Sequence, residues 1–304
     1  MIMTKEKETI WPELPLDKWE KTYDLLHLLT QIVGKIKLQF VAYKNHWWNI
    51  TFFPTVRGFT TGIIPCGTRC FEMDFDFVDH KINIKIDDGT SDFIELKSGT
   101  VAQYYDEITF KLKQLEIAVN IWPVPVEMEY RQPFNTDNIY RPYDPEYAQK
   151  LHKIIVQVAR IMEIFRSGFT GKASPVHFFW GAFDMAVTFF SGRPAPEHQA
   201  VPNVGKKVMV EAYNAELASF GFWPGKGFGE PAFYAYAYPE PNEYKNYKIA
   251  PAAAYYHKDM GEYILPYSAM IKENVPGEAV VEFFISAYRA AARSGYWDSG
   301  LCKY

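Results

Sequence analysis

The densest run of chemically capable side chains lies in SPVHFFWGAFDMAVTFFSGRPAPEH, which carries His177, Trp180, Asp184, Arg193, Glu197 and His198. Histidine and carboxylate together can hold a metal or exchange protons near neutral pH. No HExxH, cysteine-pair or two-histidine-one-carboxylate spacing is present in specific form, so no metal site is assigned. On a helix His177 and Asp184 would share a face; on a strand their odd separation puts them on opposite faces. The Phe, Val and Thr content favours a strand, which weakens that pair. The competing reading is a buried His and Asp, each satisfied by backbone or an arginine. Arg193, in the loop Ser191 to His198, can clamp a carboxylate or phosphate, or simply pair with Glu197 or a neighbouring acid.

Three further groups invite chemistry. Glu211 falls among Val204, Val208, Ala215 and Ala218 in a segment read as a helix, with Glu216 on an adjacent face. A carboxylate in an apolar stripe is paired, functional, or at the stripe's edge reaching water. Tyr234, Tyr236 and Tyr238 share one face of a predicted strand, with Phe233, Ala235 and Ala237 on the other. The tyrosine side suits a stacking platform for a ligand, or packs beneath a helix with only its hydroxyls wet. Glu72, Asp74 and Asp76 form an acidic row that a flat strand keeps apart, which points to cross-strand compensation by Lys85. GKGFGE at Gly225 to Glu230 fits neither phosphate-loop pattern, and no GxSxG or cysteine nucleophile context occurs.

The 304 residues are 48% hydrophobic and 17% aromatic, which supplies a large core and a surplus suited to an aromatic-lined pocket. The net charge of -4 and the lack of a Lys/Arg run speak against nucleic acid as a partner. Cys66, Cys70 and Cys302 are too few for a disulfide framework and suit a cytoplasmic protein. The N-terminus lacks the apolar core of a signal peptide. The most apolar stretch, Val176 to Phe190, is short for a membrane span and contains Asp184, so no membrane association is expected.

The elements that must position these groups follow from periodicity. A helix is predicted from Leu16 to Gly34 with Asp17 as cap, then strands from Ile36 to Tyr43, Trp47 to Phe53 and Val56 to Ile64. Phe71 to Ile86 alternates on both arms of a hairpin, predicting Phe75, Phe77, Ile82 and Ile84 buried, with Asp74 and Lys85 exposed neighbours. Helices are predicted from Thr100 to Leu115, with a Thr100–Gln103 capping box, and from Asp144-Pro145 to Gly168. The later pattern gives a strand from Val176 to Phe190, a helix from Val204 to Ala218, strands near Phe233 to Tyr238, Ala252 to His257 and Tyr263 to Leu265, and a helix from Pro276 to Arg293.

The fold class is α+β: two sheet-and-helix units, residues 1–130 and 144–304, joined by a polar linker at 131–143 and packed as one body. Short echoes between the halves, such as His46-Trp47-Trp48 against His177-Phe178-Phe179, raise internal duplication; aromatic strands that merely look alike are the alternative.

Several strings, among them WPELPLDKWEKTYDLLHLLTQIVGK, NHWWN, FEMDFDFVDH, SPVHFFWGAFDMAVTFFSGRPAPEH, GFWPG, EPAFYAYAYPEP and PAAAYY, resemble an uncharacterised bacterial family catalogued as domain of unknown function 5996. The resemblance spans nearly the whole chain and implies no activity, cofactor or catalytic residue. Three functions follow as expectations from the residues. The first is small-molecule binding in an aromatic-lined cleft of the second half, with Trp180, Tyr234, Tyr236 and Tyr238 as walls and Arg193, Glu197 or Glu216 as polar partners. The second is hydrolase-type acid–base or metal chemistry by His177, His198 and Glu211. The third is a structural or partner-binding module.

Overall fold

The computed structural model describes residues 10–304. Helix α1 (Leu16–Phe40) is buried on every side from Leu25 to Lys37, as a helix at the centre of a core must be. It runs past Gly34 because that glycine is no stop: the Trp180 ring fills the space a β-carbon there would need. The predicted strand from Ile36 to Tyr43 is therefore the helix's last turn and its exit. Asp17 makes no cap; Pro15 occupies that position without a side-chain hydrogen bond.

The first antiparallel sheet comprises β1 (Phe53–Thr55), β2 (Gly58–Thr60), β3 (Ile64–Cys66), β4 (Arg69–Asp76), β5 (Lys81–Ile86) and β6 (Ser91–Glu95), ordered β1-β2-β4-β5-β6 with β3 on the other part of β4. Two of the longer predicted strands thus break up. Trp47 belongs to a short 3-10 turn, Asn45–Trp47, and Val56–Arg57 turns the β1–β2 hairpin. In the β4–β5 hairpin Phe75, Phe77, Ile82 and Ile84 are buried as the alternation requires. The register pairs Glu72 with Lys85, Asp74 with Asn83 and Asp76 with Lys81, two residues off the expected pairing because the turn is longer. Lys85 is exposed and still bonds both Asp74 and Glu72, but Asp74 is half-buried where exposure was expected, because the Lys85 side chain folds over it. Asp76 is not exposed: it is buried against Arg57, 2.6 Å away.

Helix α2 follows β7 (Gly99–Thr100) and spans Val101–Gln114, capped by the reciprocal Thr100–Gln103 hydrogen bonds of 3.1 and 3.2 Å. The polar segment 131–143 is docked on the body. Phe134 is buried, Asp137 and Arg141 form a buried ion pair of 2.9 Å, and β8 (Tyr140–Arg141) pairs with β7. Helix α3 (Pro145–Ser167) starts at Asp144, whose carboxylate accepts from the Glu146 and Tyr147 N–H groups, and buries Leu151, Ile154, Val158, Ile161 and Phe165.

The second sheet has the order β13-β14-β12-β11-β10-β9: β9 (His177–Phe179), β10 (Asp184–Pro194), β11 (Ala215–Trp223), β12 (Ala232–Tyr238), β13 (Tyr255–His257) and β14 (Glu262–Pro266). Val176 to Phe190 is a hairpin, not one strand. The predicted helix from Val204 to Ala218 stops early: α4 covers only Lys206–Ala212, because Ala215 to Trp223 pairs between β10 and β12. Tertiary pairing overrides a helical pattern there. After the short α5 (Tyr267–Met270), helix α6 (Pro276–Ser294) lies with α3 against one face of this sheet, with Phe165 on Phe189 and Phe284 on Phe220 and Phe233.

The chain is α+β, and one cluster of buried apolar side chains runs from Trp11 to Ala291 through both sheets. The sheets meet where the Phe52 and Phe178 backbones exchange hydrogen bonds of 2.9 and 2.8 Å. Among the described residues no helix is long and apolar enough to cross a membrane.

Candidate functional site

In an antiparallel pair the residues opposite each other point to the same face. His177 lies opposite Ala186 and Phe179 opposite Asp184, so the hairpin turns His177 and Asp184 onto one face. This corrects the expectation that a strand would separate them; the chain reverses between them. The same face carries Ser219, Gly221 and Trp223 of β11, Tyr234, Tyr236 and Tyr238 of β12, and Glu262 of β14. Helices α3 and α6 cover the other face. Tyr234 and Trp223 here belong to an apolar cluster separate from the main core, with Phe228 and Ile264.

Helix α1 builds one end of this face. His27 Nε2 bonds the Gly181 carbonyl at 2.8 Å, and Gln31 reaches the same oxygen at 3.3 Å. Gln31 also clasps Val126, donating to its carbonyl at 2.7 Å and accepting from its N–H at 3.0 Å. Two distant segments, the β9–β10 turn and the stretch before Glu127, are thus pinned to one helical turn. Glu127 takes φ +60° and donates its N–H to Asn203 O at 3.0 Å, and its carboxyl lies over Gly181, where any β-carbon would overlap it. Tyr234 uses a second gap. Its ring crosses β11 above Gly221, and its hydroxyl donates to the Asp184 carboxylate on the far strand.

Three carboxyl groups result that sense one another. Burial pushes Asp184 up to about 6, with the Tyr234 hydrogen bond acting against it. Glu127 is exposed to solvent, yet protein crowded around it and the Asp184 charge push it up to about 7, with Lys35 opposing. Glu262 rises to about 7 for the same two reasons. Neither glutamate carboxyl has a hydrogen bond or ion pair among the described residues. Lys226, at the rim, is held by Glu20 and Asp24 at 2.8 Å each. Beside the carboxyls, the Tyr213 and Tyr236 hydroxyls bond at 2.8 Å, and Tyr213 is raised to about 12 by burial, opposed by that bond, with the three acids adding to the rise. Asp184, Tyr213, Trp223, Tyr236 and Glu262 are hemmed in by protein yet only half-buried. That combination describes the wall of a cleft.

The expected site residues divide between this cleft and elsewhere. Tyr234 and Tyr236 line it, and Tyr238 continues the row. His198 stands against Tyr213 and Tyr238, with ring centroids 4.5 Å from each. His177 is wholly buried and held down at about 3 by burial, first, and by Lys37. Trp180 packs on Gly34 and donates to Ile50 O at 2.8 Å. Arg193 pairs with Glu216 at 2.6 Å and bonds the Gly295 and Tyr296 carbonyls at the end of α6, a clamp on backbone. Glu197 faces Lys206 at 3.2 Å on the surface, and Glu211 lies 3.8 Å from Lys207. The sequence reading passed over Glu127, Glu262 and Tyr213. None carries a local signal; Asp184, a carboxylate in the most apolar stretch, did.

The fold and this face define an α+β protein of two antiparallel sheets, one of which presents tyrosines and carboxyls in a cleft. A model of the family of unknown function DUF5996 matches residues 11–304, and the chain belongs to that family. No curated protein and no solved structure matches it.

Proposed function

We propose that the chain binds a small organic molecule in the cleft on the face of the second sheet that lies away from α3 and α6. The observation that carries this reading is the union of aromatic walls with polar groups that lack protein partners. Tyr213, Tyr236, Trp223 and Phe228 offer ring surface, while Glu127 and Glu262 end in carboxyls that nothing among the described residues satisfies. Ligand sites combine apolar walls with a few such groups. Exposed Glu127 and half-buried Glu262 are both open to a partner, and a bound molecule supplies one.

A thermal-shift screen of sugars, amino acids, amines and nucleosides tests it. A ligand at 100 times its dissociation constant adds about 2.7 kcal/mol of stability. The expected hit loses its effect in Tyr236→Ala. Hits that persist unchanged in that variant would place binding elsewhere.

A second reading, acid–base catalysis of hydrolase type, is favoured by one observation: Glu127 and Glu262 titrate near 7, where a carboxyl both gives and takes protons at neutral pH. Its test is product formation from any ligand the screen finds, lost in Glu127→Gln with binding retained.

A further inference from the structure

We propose that Lys172 is an acyl-acceptor lysine, with His46 as its base, modified by anionic activated acyl donors of the acyl-phosphate class. The inference is independent of the ligand-binding reading, since it uses none of the residues placed in the cleft.

The site begins in the NHWWN string. His46 and Trp47 take φ +57° and +61°, a backbone that residues other than glycine rarely adopt. The His46 ring is buried and packs on both Trp48 and Phe190, with centroids 5.1 and 4.6 Å away. Its Nδ1 donates to the Ala212 carbonyl at 3.0 Å. A carbonyl only accepts, so Nδ1 bears the proton and Nε2 keeps its lone pair. That lone pair faces the Lys172 amine at 2.8 Å.

Lys172 comes from the loop after α3, where its carbonyl accepts from the Phe190 N–H at 3.0 Å. It is exposed to solvent, so a reagent can reach it. Its amine lies 4.7 Å from the Phe190 ring and 5.6 Å from the Trp48 ring. Lys85, Lys111, Lys150 and Lys226 each meet a carboxylate, which holds the proton on the amine. Among the described residues no carboxylate pairs with Lys172; its hydrogen-bond partner is a base. The protein crowded around the amine lowers it from its ordinary value. His46 is lowered too, by burial first, which keeps the imidazole neutral and ready to take a proton. An unprotonated amine beside a base is an activated nucleophile. With no carboxylate paired to either group, an anionic donor meets no opposing charge at contact.

The reaction balances without an oxidant or reductant. The Lys172 ammonium first loses one proton to water. The Nζ lone pair then attacks the acyl carbon, and the carbonyl π electrons move to its oxygen. His46 Nε2 takes the second proton from the nitrogen. The C=O re-forms as the bond from the acyl carbon to the phosphate oxygen breaks, and phosphate leaves with that electron pair. The proton on His46 passes to phosphate or water, and Lys172 is left as a neutral amide.

The intact chain, folded and denatured, is incubated with acetyl phosphate at millimolar concentration, and acetylation is followed by peptide mass spectrometry. Rates at Lys172 are read relative to exposed Lys21 and Lys113, which cancels the effect of the denaturant on the reagent. Enclosure alone can only slow a folded lysine. Lys172 should instead react about tenfold faster in the folded chain than in the denatured one. His46→Asn, a residue that tolerates the left-handed backbone, should bring the folded rate down to the denatured rate or below. If wild-type Lys172 reacts no faster folded than denatured, or if His46→Asn leaves the gain intact, the inference falls. Should His46→Asn fail to fold, the wild-type pH profile decides. The folded Lys172 rate must level off at a lower pH than the denatured one, and coincident profiles overturn the inference.

Discussion

The two sheets are built alike and finished differently. Each is a six-stranded antiparallel sheet whose inner face is apolar. On the outer face of the first, Glu72 and Asp74 share Lys85 and Glu95 meets Lys97 at 3.2 Å, while at the edge of its inner face Asp92 meets Lys111 at 2.8 Å. On the face of the second that lies away from α3 and α6, Asp184 has a tyrosine, and Glu262 and the neighbouring Glu127 have no ion pair among the described residues. Burial drives the second group's pKa values up, whereas Asp92 on the first sheet is held below its ordinary value: burial opposes, but the Lys111 bond and charge prevail. Acidic residues on a sheet are therefore no signal in themselves. What distinguishes a surface from a site is whether cations were provided alongside, and whether the acids are enclosed.

The inner faces should respond equally. Phe220→Ala in the second sheet should cost about 3–5 kcal/mol and Ile84→Ala in the first about 2–5 kcal/mol, by urea denaturation. A loss under about 1 kcal/mol at either would show that its face is not core. The next effect belongs to the second sheet alone. Gly221→Ala places a methyl in the Tyr234 ring and should cost about 1–3 kcal/mol while breaking the Tyr234–Asp184 hydrogen bond. An unchanged denaturation midpoint would show that Tyr234 does not lie across β11.

The pH dependence divides the sheets further. Glu127 and Glu262 are raised in the fold, so as pH rises the unfolded chain releases these protons first. Their contribution to stability is full below about pH 4 and lost as pH climbs through about 7. His27, lowered to about 4 chiefly by burial, acts in the opposite sense, with its contribution full above about 6.5 and lost as pH falls through about 4. Between pH 5 and 7.5 the urea midpoint of Glu262→Gln should therefore fall less than that of the wild type. Equal falls would mean that the Glu262 carboxyl is not enclosed. The smallest effect is on the first sheet: Lys85→Ala should cost at most about 1 kcal/mol, shrinking in high salt, with no change in affinity for any ligand of the cleft. A larger, salt-insensitive loss would erase the contrast between the two outer faces.

Much was legible in the chain before any coordinates. Alternation in Phe71 to Ile86, the Thr100–Gln103 box, the Asp144-Pro145 start and the stripe from Leu151 to Phe165 each act within a few residues, where local geometry dictates the outcome. The two faces of Phe233 to Tyr238 were readable for the same reason, since side chains alternate along any strand. The readings that failed depended on distant partners. Gly34 looks like a helix stop until Trp180 is seen to fill its gap. Val204 to Ala218 reads as a helix until β10 and β12 claim its second half. The three carboxyls come from a loop, a β-turn exit and an edge-side strand, 57 and 78 positions apart in sequence. They are gathered because His27 and Gln31 bind Gly181 and Val126 at once, and because Gly181 and Gly221 leave room for side chains from other strands. The sequence by itself determined the fold class and the inner faces, because periodicity and caps are local. Only the tertiary structure decided which acids share a cleft, because that depends on long-range pairing and on the enclosure that shifts their protonation.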